Sequence, residues 1–320
     1  MKNSNSISGK LVDPIGRRTV NAKIYFQDGV ITQIDESLDA ENVYIIPGFV
    51  DSHVHIESSL LVPTRFAQAA IKNGTVAVVA DPHEVANVAG IEGVRFMIEN
   101  ARQSKLKFFF GAPSCVPASP VDECFEPFTS REVAKLLDLP EVTHLAEMMN
   151  FPGVINGNTE VHSILSEAKA RNKPIDGHAP GLSGENLTKY VSAGITTDHE
   201  CFTLEEAKKK IELGMKVLIR EGSAAKNFDA LHPIIGQNPS MAMFCTDDCH
   251  PDELMGGHIN KHVRKAIALG YDIFDVLQVA SVNPVNHYRL NVGLLQVGQP
   301  ADFIVVDNLN DFNVLSTYIK

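Results

Sequence analysis

From residue 45 onward, short β-prone runs alternate with longer stretches whose apolar positions recur at helical spacing. Eight runs stand out, at 45–50, 75–80, 107–112, 142–147, 173–177, 195–198, 216–220 and 241–245. Between them, Val88, Ile91, Val94, Met97 and Ile98 mark one helix within 85–103. Leu204, Ala207, Ile211 and Leu213 mark another within 203–213, and Ile259, Val263, Ala266 and Ile267 a third within 254–269. Gly74, Gly194, Gly214 and Gly270 stand where helices should end. Strand–helix alternation builds a parallel sheet. Eight units in a span close to the roughly 250 residues typical of the fold predict an α/β chain closed into a (β/α)8 TIM barrel over 47–290. A doubly wound open sheet is the alternative this pattern leaves open.

The two ends follow a different pattern. Residues 23–27 and 30–34 flank Asp28-Gly29, a hairpin signal. Residues 293–297 and 302–306 flank a turn at 298–300. Neither piece can bury a core alone, so 1–46 and 291–320 are expected to pair as one small, discontinuous β-domain. The first ten residues are polar and lack the apolar stretch of a secretory leader. No apolar run approaches the roughly 20 residues that span a bilayer. Five scattered cysteines, Cys115, Cys124, Cys201, Cys245 and Cys249, fit reduced thiols in a cytoplasmic protein. The 39 acidic residues against 28 basic ones, a net charge of −11, argue against nucleic acid or anionic membrane as partner. The residues do not define an oligomeric state, and a homo-oligomer remains open.

Polar chemistry collects where the predicted strands end. The first strand runs into Asp51-Ser52-His53-Val54-His55; the fourth ends at Glu147, the fifth at His178, the sixth at His199 and the eighth at Asp247-Asp248. In a barrel all strand C-termini open on one face. Residues two apart on an extended segment point the same way, so His53 and His55 can grip one ion. Four imidazoles and two carboxylates suffice for two divalent ions, and gathering them without metal would carry a desolvation cost. Imidazole and carboxylate without thiolate suit Mn²⁺, Fe²⁺ or Zn²⁺. No Cys-x-x-Cys is present, which argues against the nucleobase deaminases built on a His/Cys/Cys zinc. His144, three positions before Glu147, is expected to face away from the site, against a helix. His162, His232, His262 and His287 are expected in surface or capping roles, and His250 and His258 in a loop.

The run from Pro47 to His55 resembles the first-strand motif of the amidohydrolase superfamily. Narrower matches are 56–59 (Ile-Glu-Ser-Ser), 81–84 (Asp-Pro-His-Glu), 145–149 (Leu-Ala-Glu-Met-Met), 176–182 (Asp-Gly-His-Ala-Pro-Gly-Leu), 220–225 (Arg-Glu-Gly-Ser-Ala-Ala) and 245–248 (Cys-Thr-Asp-Asp). Together they resemble the bacterial adenine deaminases of that superfamily, from about residue 20 onward. The resemblance implies two divalent ions: His53, His55 and Asp247 on the first, His178 and His199 on the second, Glu147 as bridge. Many relatives bridge through a carboxylated lysine; no lysine lies between Val142 and Phe151. The resemblance also implies a C-terminal domain that this sequence does not contain.

The implied reaction is hydrolysis of adenine to hypoxanthine and ammonia, a purine salvage or catabolic step. A hydroxide held by the two ions attacks C6, and Asp247 relays the proton to the departing ammonia. Glu57, Glu84 and Glu221 are candidates for the acid that protonates a ring nitrogen. Arg220, Ser223 and Asp248 are candidate substrate contacts, and His83 a contact, a supporting partner or an accessory ligand. Two other readings stay open: hydrolysis of a cyclic or isoaspartyl-type amide at the same cluster, and a catalytically inactive truncated homologue.

Overall fold

The computed structural model describes residues 4–36, 39–119 and 121–320. Parts of the expected terminal β-domain, residues 1–3, 37 and 38, lie outside the described residues, as does residue 120. Eight parallel strand positions form the central barrel. Phe49–His55, Thr75–Ala80, Lys107–Ala112, Val142–Met148 and Ile175–Gly177 pair in sequence, and Thr197–Asp198, Lys216–Arg220 and Ala242–Cys245 form a second parallel run. Beyond Thr246 the eighth strand resumes as Asp247–Asp248, which pairs with Val54 and His55 of the first. Between the fifth and sixth strands no ladder forms; the Thr196 N–H donates to the Ile175 carbonyl at 2.9 Å and joins the two runs.

The barrel strands are apolar almost throughout because helices cover their outer face. Every residue of Thr75–Ala80 is buried. The helix expected within 85–103 runs from His83 to Ala101 and kinks at Gly90, which adopts φ 60°. The helix expected over 254–269 is two, Pro251–Gly256 and Ile259–Ala268, because Gly257 at φ 145° breaks the chain between them.

The terminal segments share one six-stranded sheet, in the order Val314–Tyr318, Phe303–Val306, Tyr44–Pro47, Ser4–Asp13, Arg18–Gln27, Val30–Glu36. Asp28 and Gly29 both have positive φ, as the hairpin signal requires. Leu11, Ile24, Ile31, Ile45 and Phe303 form this sheet's own core. Two expectations need correction. Residues 45–50 are not one barrel strand: the chain leaves the small sheet at Pro47 and enters the barrel at Phe49. Gly48 makes the crossing possible, since a Cβ there would lie 2.2 Å from Val76. Residues 293–297 are not a strand. The Gly293 N–H donates to the Asp302 carboxylate and the Leu294 N–H to the Gln299 side chain, so side chains satisfy donors that a ladder would have used.

Candidate metal centre

The first strand presents His53 and His55 to the same side, with their Nε2 atoms 3.1 Å apart. Asp247 Oδ1 lies 3.4 Å from His53 Nε2 and 3.1 Å from His55 Nε2. Glu147 stands between two sets of imidazoles. Its Oε1 is 3.4 Å from His55 Nε2, and its Oε2 is 2.6 Å from His178 Nδ1 and 3.2 Å from His199 Nε2. The His53 and His199 rings stack at 4.1 Å. All six side chains are buried except His178, which is partly open. Burial raises the Glu147 carboxyl, but hydrogen bonds from His178, His199 and His55 overcome it and hold the group well below the carboxylate range. Burial likewise acts against ionised Asp247, and His53 and His55 more than reverse it.

The donor chemistry fits divalent cations. The Asp81 carbonyl, 3.1 Å from His55 Nδ1, can only accept, so a neutral His55 keeps its proton on Nδ1 and would offer a metal the Nε2 lone pair in place of its hydrogen bond to Glu147. Three groups offer ligand atoms within 4.8 Å of one another: His53, His199 and Asp247; Glu147, His178 and His199; and His55, Asp81, His83 and Glu147.

A cavity of about 330 Å³ opens over this cluster, at the small end of the range for small-molecule sites. His83, Glu84, Arg220 and Asp248 line it together with the imidazoles. Arg220 donates through Nη1 to Glu200 and, at 2.5 Å, to Asp247 Oδ2. Asp248 accepts from the Ser58 hydroxyl. Glu57 sits behind Glu84, accepts the Val85 N–H at 3.2 Å, and is pushed up to about 7 by burial and the Glu84 charge. Two of the expected residues, one a candidate acid and one a candidate contact, stand elsewhere. Glu221 turns outward to Lys265 at 3.2 Å. Ser223 spends its hydroxyl on the His250 N–H and its own N–H on the Asp248 carbonyl, so it orders the loop. The backbone bends after Arg220, and the strand's alternation no longer governs these side chains.

His144 also departs from expectation. It faces the barrel interior, 3.5 Å from Asp176 and against the Tyr288 ring, because an irregularity between Leu145 and Met148 breaks the period-two alternation. His262 is buried, with Nε2 2.9 Å from the Cys245 carbonyl, and is not a surface residue. His258 is buried too, between Thr75 and Asp51. Several residues at the site were not singled out from the sequence: Glu200, Phe202 and Met149 in the cavity wall, Asp81 beneath it, and Lys210 beside it. Asp81 had a signal, an acid directly after an apolar strand; Glu200 had one in following His199.

An eight-stranded parallel barrel with histidines and carboxylates converging at its strand C-termini defines a metal-dependent barrel enzyme scaffold. The chain belongs to the amidohydrolase family, whose sequence model matches residues 44–320. Within it, the chain is 54% identical over 308 residues to the adenine deaminase of Sulfurovum sp. (strain NBC37-1), covering 96% of this chain and 58% of that protein. It is 53% identical over 312 residues to the adenine deaminase of Methanosarcina mazei, covering 97% and 56%. The chain thus spans less than two thirds of the length of these relatives. Among solved structures, the β-aspartyl dipeptidase of Fervidobacterium islandicum AW-1 superposes with a TM-score of 0.73 at 16% identity, over 98% of this chain and 95% of that one. The N-acetyl-D-glucosamine-6-phosphate deacetylase of Mycobacterium smegmatis gives 0.69 at 15%, over 98% and 97%. These likenesses show the fold. No helix among the described residues is long and apolar enough to cross a membrane.

Proposed function

We propose that this chain is the catalytic barrel of an adenine deaminase, converting adenine and water to hypoxanthine and ammonia in the cytoplasm. The observation that carries the proposal is the 54% identity to an adenine deaminase across 96% of this chain, set beside the convergent cluster. His53, His55 and Asp247 would hold one divalent ion, His178 and His199 a second, and Glu147 would lie between them. Bound there, Mn²⁺, Fe²⁺ or Zn²⁺ would supply a water acidified towards neutrality.

The protein's own groups divide the proton work. The Asp247 carboxylate takes the proton of the attacking water and returns it to the departing amine. Arg220, on the other oxygen of Asp247, orients that carboxylate. Glu84 borders the cavity whereas Glu57 lies behind it and Glu221 turns away, so Glu84 is the acid assigned to a purine ring nitrogen. Asp248, fixed by Ser58, contacts the purine edge, and the exposed Phe202 ring offers an apolar face to the base.

The test is metal-depleted protein reconstituted with Mn²⁺, given adenine and followed by ammonia and hypoxanthine, beside Asp247→Asn. Turnover that the variant loses supports the proposal. Two ions bound without adenine turnover would overturn it.

A further inference from the structure

The third ligand group adds an acid, Asp81, that the pair of ions does not use. Asp81 closes the second barrel strand at the mouth and is 1% exposed. Its Oδ2 lies 3.2 Å from His83 Nδ1, and its Oδ1 has no hydrogen-bond partner. His83 Nδ1 is also 3.7 Å from Glu147 Oε1. Glu84 Oε2, buried and without a hydrogen bond, is 3.4 Å from His55 Nδ1 and 3.9 Å from His83 Nδ1. Glu57 Oε2, just behind, is buried and unpartnered as well. Among the described residues, no lysine or arginine pairs with Asp81, Glu57, Glu84 or Glu147. The nearby guanidinium, Arg220, is committed to Glu200 and Asp247.

Buried carboxylate oxygens without a donor are costly, and burying charge without a counter-charge costs more. His83 answers Asp81 through Oδ2 alone; Oδ1, with Glu84 Oε2 beside the same set of mutually close ligand atoms, calls for a cation. We propose that Asp81 and His83, with Glu147 shared from the pair, form a third divalent-cation position. It rests on the two-ion reading for its neighbours, while its own ligands are Asp81 and His83. One imidazole and two carboxylates, with no thiolate, select Mn²⁺ or a similar borderline-hard ion. His83 and Glu84 border both the main cavity and a second one of about 270 Å³ lined by Asn87 and Cys115, so an ion can reach the position from solvent.

The experiment counts ions. Metal-free chain is dialysed against Mn²⁺ until bound metal no longer rises, and bound Mn²⁺ is measured by mass spectrometry. The wild-type chain binds three ions; D81N and H83N each bind two while keeping the native circular dichroism. Two ions in the wild type at saturation, or three retained in both variants, overturn the position. So does a variant that keeps its fold and loses every ion, because Asp81 and His83 would then belong to the pair. If one variant fails to fold, the other decides. Three ions without adenine turnover would leave this position standing and sink the deaminase reading; turnover with two ions would do the reverse.

Discussion

The histidines of the first strand and those that follow the fifth and sixth are held by different physics. His53 and His55 lie in a seven-residue strand laddered on one side to Thr75–Ala80 and on the other to Asp247–Asp248. His178 and His199 follow strands of three and two residues, with no ladder between them. There, side chains make the joints. The Thr197 hydroxyl donates to Asp176 at 2.7 Å and accepts the Gly177 N–H at 3.3 Å. The Tyr190 hydroxyl accepts the His178 N–H at 3.0 Å and donates to the Met148 carbonyl at 2.8 Å. Lys210, fully buried, donates to the Ala179 carbonyl and to Glu206 at 2.8 Å each and lies 3.2 Å from Asp198, which accepts the Ala179 N–H. A ladder uses groups that nearly every residue carries; this seam depends on particular side chains. One substitution can therefore undo the seam where it would not undo the ladder.

The largest effect should come from the residue that both regions share. Glu147→Ala removes the only carboxylate among the described residues that reaches His55, His178 and His199 together. Bound metal should fall below one ion per chain, and turnover by about a thousandfold or more, in line with loss of metal-assisted chemistry. Metal analysis beside a rate assay checks it; two ions retained would show that the regions hold metal independently.

Next comes the seam itself. Lys210→Met leaves Asp198 and Glu206 without their buried cation and should cost about 3–5 kcal/mol of stability, read by urea unfolding. Ions held by His178 and His199 should be lost before those held by His53 and His55, and Lys210→Arg should restore part of both. Equal loss from the two regions would erase the contrast. Tyr190→Phe leaves the His178 N–H and the Met148 carbonyl unpaired and should cost about 1–3 kcal/mol, with weaker retention of the second ion under a chelator challenge. The smallest effect is expected on the laddered side. Ile98→Val, in the helix over the second and third strands, should cost about 0.5–1.5 kcal/mol and leave the ion count unchanged. A changed count would mean that packing, and not the ladder alone, places His53 and His55.

Much of this was legible along the chain. The apolar runs at 75–80, 107–112 and 216–220 are strands with those bounds, because a strand buried on both faces leaves an unbroken apolar signature. His53, His55, Glu147, His178, His199 and Asp247 could be picked out because each interrupts or directly follows such a run. Less was legible where the alternation fails. The irregularity after Leu145 turned His144 inward, and the bend after Arg220 sent Glu221 to Lys265. Lys210 is the last of three consecutive lysines, and nothing along the chain sets it apart from the other two. Its burial is decided by Asp198 and Ala179, which approach from other elements.

The sequence by itself therefore determined the periodicity, and with it the strand–helix alternation and the polar residues at strand ends. These follow from local alternation between burial and exposure, which each segment carries alone. Only the tertiary structure decided which acids meet which imidazoles, that Asp81 and Glu84 keep buried oxygens without donors, and that the seam between the fifth and sixth strands is closed by side chains. Those outcomes depend on separations of a few ångströms between residues far apart in the chain, and no local pattern encodes such distances.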